Sequence, residues 1–281
     1  MPFDQSGLLA CLDLTETEPG RFEGQNLDIG YHRVFGGQIL AQVLVAAATA
    51  SPDKSVKSLH ILFPREGDTA KPMQYQVSKL QDGRTFGTTE VVASQDGKVV
   101  SAAVLSMHVD ELGLLRSEAP PAVGAPDEAP LADQPMVPWE LRTVGGVDLA
   151  DRAAGPAELQ WWSKAAPIAD ASPADPARDR AVHQALLAHA TDLTLIGTAL
   201  RPFEGISQAD STVTLQTAVT SHSMWFHQPF RMDDWVLVSQ HSPVVAKGRA
   251  FGRGEVFDGR GRVVASFAQE SMVRRIEPGS H

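Results

Sequence analysis

The sequence predicts an α+β fold made twice from one unit, a central helix followed by an antiparallel meander. Three observations carry that prediction: a repeated hairpin pattern, an apolar helical segment ahead of each copy, and a proline-rich stretch between the copies. The hairpins set the register. Gly83-Arg84-Thr85-Phe86-Gly87-Thr88-Thr89-Glu90-Val91-Val92 aligns with Gly248-Arg249-Ala250-Phe251-Gly252-Arg253-Gly254-Glu255-Val256-Phe257, sharing Gly, Arg, Phe, Gly, Glu and Val at matching places. After a one-residue slip, Gly97-Lys98-Val99-Val100 answers Gly261-Arg262-Val263-Val264. Extended runs with β-branched residues on either side of a Gly- and Asp-rich turn read as β-hairpins.

The elements follow in chain order. Gly36 and Gly37 precede Gln38 to Ala48, a segment apolar on nearly every side, and a helix of that kind must be buried. Val56 to Phe63 and Met73 to Leu80 then read as strands. From Ser117 to Pro138, Ala-Pro-Pro, Gly-Ala-Pro and Glu-Ala-Pro mark an extended connection. Trp161 and Trp162 open the second copy, with core packing the default reading for both. Arg180 to Leu200 places Val182, Leu186, Ala190, Leu193, Ile196 and Leu200 at spacings of three and four, one apolar helical face. Thr212 to Phe226 and Trp235 to Gln240 supply the strands after it. The expected organisation is residues 1–115 as a first module, 116–154 as a connection and 155–281 as a second module. A single buried helix wrapped by a curved antiparallel sheet is the hotdog module. Two of them can join edge to edge into one continuous sheet, a double hotdog without open inner edges.

Composition narrows the function. Thirty-four acidic against 24 basic residues give a net charge of −10, which repels phosphate backbones, so no nucleic-acid partner is expected. The single cysteine, Cys11, makes no internal disulfide and fits a reducing cytoplasm; no metal site and no cofactor is expected. The opening Met-Pro-Phe-Asp-Gln lacks the pattern of a signal peptide, and the run from Ile39 to Ala50, broken by Gln42, is too short to span a bilayer. No membrane partner is expected. There is no Gly-x-Ser-x-Gly elbow, no Gly-x-x-x-x-Gly-Lys-Ser/Thr loop and no His-Glu-x-x-His helix.

Asp192 is the most informative polar residue. Ala185, Ala188, Ile196 and Ala199 lie at helical offsets from it, and a carboxylate among such neighbours must be paired, hydrogen-bonded or shifted in pKa. It is either a site residue or a structural carboxylate bonded to a strand or turned toward solvent. Along the last strand, alternation groups Val263, Ala265, Phe267 and Gln269 on one face, which directs the Gln269 amide toward the helix. The repeat acts as an internal control: Gln269 matches Leu105, and a looser helix register pairs Asp192 with Ala46. Where the first copy is apolar the second is polar, either for a site or for a structural Asp–Gln hydrogen bond. His60, His222 and His227 read as hydrogen-bonded packing residues, and the recurring Arg84 and Arg249 as hairpin residues.

Val34-Phe35-Gly36-Gly37-Gln38, Ser58-Leu59-His60, His222-Ser223-Met224-Trp225-Phe226-His227 and Phe267-Ala268-Gln269-Glu270 together resemble the type II acyl-CoA thioesterase family over nearly the whole chain. The resemblance implies a double hotdog and hydrolysis of fatty acyl-CoA by a water held between an Asp, a Ser or Thr, and a Gln. The family's Asp falls on Asp192 and its Gln on Gln269. The hydroxyl, three residues before the first His of the long string, falls on Val219, so reduced activity is expected. Thr220 follows at once, but strand alternation turns it to the other face unless a bulge brings it in. The loop Phe63-Pro64-Arg65-Glu66-Gly67 also departs from the family's Leu-Arg-Pro-Gly order. The remaining expectations are an acyl-CoA partner and a homo-oligomer, dimer or tetramer. A catalytically silent acyl-CoA or lipid binder is the alternative; the Asp–His pair of a hotdog hydratase is not found.

Overall fold

The structure is a computed structural model that describes residues 3–134, 136–168 and 176–276. Its framework is one sheet of 12 strands, in the order β1-β2-β4-β5-β6-β3-β9-β12-β11-β10-β8-β7. The first half contributes β1 (Thr15–Glu18), β2 (Arg21–Gly24), β3 (Ser55–Leu62), β4 (Met73–Asp82), β5 (Phe86–Gln95) and β6 (Lys98–His108). The second contributes β7 (Glu140–Thr143), β8 (Glu158–Lys164), β9 (Leu215–Phe226), β10 (Val236–Ala246), β11 (Arg249–Asp258) and β12 (Val263–Arg275). Strands that neighbour each other in sequence within a meander pair antiparallel because short turns close them; at the tip of β5–β6, Asp96 and Gly97 both take positive φ, as a two-residue hairpin turn requires.

The strand order reads the same from either edge once each strand of the first half is matched with its counterpart in the second, and β3 and β9 meet at the centre. Their pairing is itself two-fold. The register that carries Gly83 onto Gly248 carries Leu59 onto Met224, which face each other across the seam, and exchanges the flanking pairs Ser58–Trp225 and His60–Ser223. The double hotdog expected from the sequence is therefore present as one continuous sheet.

Two long helices cover one face of it. α2 (Gly36–Ala50) is apolar all round and buried along most of its length. Its two interior glutamines are satisfied locally: Gln38 Oε1 accepts from the Leu27 N–H at 2.9 Å, and Gln42 Oε1 accepts from the Tyr75 hydroxyl at 2.6 Å. α3 (Pro176–Thr191) lies against α2 in the opposite direction, so that Gly37 at the start of α2 meets the carbonyl of His189 near the end of α3. Inward residues of the strands, among them Leu59, Ile61, Leu105, Met224, Phe267 and Trp161, close the core beneath both helices. Each large apolar side chain so buried contributes about 1.5–3 kcal/mol.

Three expectations change. The helix read as Arg180 to Leu200 breaks after Thr191 and resumes as the short α4 (Leu195–Leu200). At the break the Thr191 hydroxyl donates to the Ala188 carbonyl at 3.1 Å and the Thr194 hydroxyl to Gln240 Oε1 at 2.9 Å, local and tertiary bonds that compete with helix continuation. The stretch 117–138 is not wholly extended, since Pro126–Glu128 forms a short 3-10 turn, and after it β7 pairs with β8 at the sheet edge. Trp161 is fully buried, but Trp162 is only half-buried and its indole N–H donates to the Gly124 carbonyl at 3.2 Å. A small helix, α1 (Gln5–Cys11), packs Leu8, Cys11 and Leu12 into the core ahead of β1.

Candidate active site

The broken helix positions Asp192. Released from the α3 ladder, its carboxylate turns to the first residues of α2, where a Cβ on Gly36 would lie 2.8 Å from Asp192 Oδ2. No side chain caps α2 at Phe35, so its first N–H groups are open to an anion from elsewhere in the fold, and the Gly37 N–H bonds this carboxylate. Asp192 is 4% exposed. Burial raises its pKa from 3.8 to about 7, against the opposing pull of the Gly37 N–H and the Arg33 charge. Its second oxygen, Oδ1, has no hydrogen-bond partner among the described residues.

Asp192 lies on the wall of a cleft of about 530 Å3, within the range of small-molecule sites. Phe35, Ile39, Phe63, Leu193, Ile196 and Met272 give it an apolar lining, and the loop Phe63 to Gly67 forms part of the rim. Arg33 closes one side: its guanidinium donates to the Tyr31 hydroxyl and the Thr217 carbonyl, each at 3.0 Å, and pairs with Glu66.

Val219 continues the inward phase of Leu215 and Thr217, Thr220 leads the inward phase of His222 and Met224, and both line this cleft, a break in alternation. The cause is a bulge. Ser221 faces Glu270 and Val219 faces Ser271, leaving Thr220 as the extra residue of β9. The inward positions change phase across it, from Leu215 and Thr217 on one side to His222, Met224 and Phe226 on the other. Thr220 donates its hydroxyl proton to the Glu270 carbonyl at 2.9 Å.

Gln269 is 2% exposed on β12 and faces inward, but it is not part of the cleft wall. No direct hydrogen bond to Asp192 is present among the described residues. A chain of contacts joins them instead: Gln269 Oε1 lies 3.1 Å from His222 Nδ1, and His222 Nε2 lies 3.4 Å from the hydroxyl of Thr191, the residue before Asp192. Gln269 Nε2 donates to Ser271 Oγ at 3.0 Å. The His222 ring is fully buried and parallel to Phe267, and burial lowers its pKa to about 4. His60 and His227 do bond strand neighbours, Ser223 at 2.6 Å and Ser266 at 2.9 Å, and Arg249 pairs with Glu270 at 3.2 Å. Among the described residues no group of three or more His, Cys, Asp or Glu is placed to hold a metal ion.

With this geometry in view, comparison with known proteins is informative. Residues 160–272 match the family described as acyl-CoA thioesterase, and residues 25–108 match the acyl-CoA thioesterase N-terminal domain. Acyl-CoA thioesterase 2 of Haemophilus influenzae is 30% identical over 289 aligned positions, which cover 96% of this chain and 97% of that protein. The chain belongs to the type II acyl-CoA thioesterase family. A crystal structure of an acyl-CoA thioesterase II from Mycobacterium marinum superposes with a TM-score of 0.79 at 32% identity, over 98% of this chain and 100% of that one. A protein of Alicyclobacillus acidocaldarius described as having a hot dog fold shares the architecture, with a TM-score of 0.74 at 18% identity over 97% of this chain and 98% of that one. The candidate site of this thioesterase-family chain draws on both matched segments: Arg33, Gly36 and Gly37 come from the first, and Asp192, Val219, Thr220 and Gln269 from the second. Sequence reasoning missed Arg33, Thr191 and the contact of His222 with Gln269. The last comes from the pairing of β9 with β12, which sets His222 opposite Gln269 although no hairpin joins those two strands.

Proposed function

We propose that the cleft hydrolyses fatty acyl-CoA thioesters to the free acid and CoA, with a water activated by Asp192 and ordered by Gln269. The observation that carries this reading is a buried carboxylate of pKa about 7, with one oxygen unpartnered, on the wall of an apolar cleft. Asp192 Oδ1 accepts a proton from the water as its oxygen attacks the thioester carbonyl carbon. Thr220, whose own proton is held by Glu270, offers lone pairs to the second water hydrogen, and so replaces the hydroxyl missing at Val219. The positive end of α2 faces the oxyanion of the tetrahedral adduct. Collapse of the adduct breaks the C–S bond, and the departing thiolate takes the proton from Asp192; a thiol of ordinary pKa near 8.5 needs little further help.

One observation favours the alternative of a silent binder: Val219 presents methyl groups to the cleft, and the hydroxyl of its neighbour Thr220 is already bonded to the backbone. Steady-state hydrolysis of short, medium and long acyl-CoAs, with binding of a non-hydrolysable thioether analogue measured alongside, separates the two. Turnover that disappears in Asp192→Asn supports the enzyme; binding of the analogue with no turnover of any chain length supports the binder. The two-module division is retained as part of this proposal, with the chemistry assigned to the second module and the helix N-terminus to the first. A cytoplasmic homo-oligomer is the proposed setting. The lone Cys11 suits a reducing compartment, and Leu112, Leu114 and Leu115 stand exposed at the end of the first module, after β6. Sedimentation and cell fractionation test that setting. No helix among the described residues is long and apolar enough to cross a membrane.

A further inference from the structure

We propose that His222 is a positioning residue for Gln269, its Nδ1–H tautomer fixing which end of the Gln269 amide is free to meet the water. The inference rests on the reading of Gln269 given above and assigns a task to a side chain outside it. Burial keeps the His222 ring neutral, so one of its nitrogens carries a hydrogen and the other does not. Nδ1 faces the carbonyl oxygen of Gln269 at 3.1 Å, and an oxygen of that kind only accepts. Nδ1 therefore carries the hydrogen and Nε2 is bare. Nε2 faces the Thr191 hydroxyl at 3.4 Å; that oxygen also lies 3.1 Å from the Ala188 carbonyl oxygen, so its one proton is divided between that carbonyl and the bare Nε2.

With its oxygen held by His222, the Gln269 amide sends one N–H to Ser271 Oγ and has a second N–H left over. Moving the proton to Nε2 reverses the arrangement. A bare Nδ1 requires a donor, the amide turns over, its NH2 group faces the imidazole and its oxygen faces Ser271. Tautomer and amide orientation are thus locked to each other, and a wrong choice changes the hydrogen-bonding character of Gln269 without moving any backbone. The ring is held in place for this task by stacking on Phe267 and by complete burial. Across the pseudo-two-fold no such device exists: Gly252 faces Gln269 and its match Gly87 faces Met107, whose partner on β3 is Val56, so both counterparts are apolar.

Nitrogen-15 NMR of the histidine-labelled wild type reads the tautomer directly and needs no variant to fold. An Nδ1–H signal for His222, assigned by its loss in His222→Asn, is expected; an Nε2–H tautomer overturns the proposal. Kinetics provides the second arm. His222→Asn keeps an amide donor near the place of Nδ1 and is expected to retain kcat within about threefold. His222→Gln reaches toward Thr191 rather than Gln269, and it and His222→Leu are expected to lose about 10- to 100-fold in kcat with KM little changed, the loss of one buried hydrogen bond. Gln269→Ala and the double variant His222→Leu with Gln269→Ala are then expected to be equally slow, because the two side chains act as one unit. Equal losses for Asn, Gln and Leu, or additive losses in the double variant, overturn the positioning role while leaving Gln269 in place. A Gln269→Ala enzyme as fast as the wild type overturns the assignment of Gln269 and this proposal together.

Discussion

At the residue scale, the buried carboxyl of Asp192 costs the fold stability once it ionises. Its carboxyl titrates at about 7 in the fold and near 3.8 in the unfolded chain, so the unfolded state gives up the proton first as pH rises. The native state is favoured fully below about pH 4, and that advantage is lost as pH climbs through 7, a cost on the order of 4 kcal/mol by then. Asp192→Asn is expected to raise Tm at pH 8, with the gap over wild type narrowing toward pH 4, while hydrolysis falls by three orders of magnitude or more. With ionised Asp192 proposed as the base, kcat/KM of the wild type is expected to rise with pH and level off above about 7; a flat profile from pH 5 to 8 counts against Asp192. Thr220→Val is expected to slow kcat about tenfold, the loss of one modest hydrogen bond, whereas Val219→Thr changes it less than threefold. If Val219→Thr instead accelerates turnover tenfold and Thr220→Val is silent, the hydroxyl belongs at Val219. Asp192 and Gln269 were legible because both are polar residues where apolar periodicity calls for something else. Thr220 was legible only as a substitute for Val219 that a bulge would bring in, since the bulge itself belongs to the pairing of β9 with β12 and leaves the sequence of β9 unmarked.

At the element scale, the start of α2 and the end of α3 form one joint. Neither Gly36 nor Gly37 has a positive φ, so alanine at either position suits the helix and by propensity alone stabilises it by up to about 1 kcal/mol. Contact decides otherwise. A Cβ on Gly37 would lie 2.5 Å from the His189 carbonyl, which is backbone and cannot swing aside, whereas one on Gly36 would meet Asp192 Oδ2 at 2.8 Å. Gly37→Ala is expected to lower unfolding free energy in urea by about 2 kcal/mol or more, a typical cost of overpacking. Gly36→Ala is expected to unfold nearly as the wild type does, with kcat reduced by at least tenfold as the carboxylate is pushed away. Equal effects of the two on stability would remove the joint as an explanation. Long periodic segments announced both main helices and most central strands in the sequence. The edge strands β1 and β7 are four residues each, too short for alternation to register, and the break at Asp192 was hidden because α4 continues the apolar spacing of α3.

At the scale of the whole molecule, the seam between β3 and β9 makes a prediction about each half alone. The pairing is two-fold about Leu59 and Met224, so the β3 edge exposed in an isolated 1–115 fragment has the geometry to pair with β3 of a second copy. Such a fragment is expected to sediment as a dimer without hydrolytic activity, since it lacks Asp192; a stable monomer would show that the seam depends on side chains peculiar to β9. The meander order and the repeat were visible in the sequence, but the central partnership was not, because it joins strands from opposite sides of a long proline-rich connection. That partnership also governs how the chain can change over generations. In an assembly of two identical chains every mutation is written twice, once in each subunit, so a buried carboxylate gained at one position would burden its mirror position as well. Here a mutation is written once. A carboxylate that weakens the fold can be carried on one side of the two-fold while its counterpart remains hydrocarbon, and a single covalent chain is what permits that inequality.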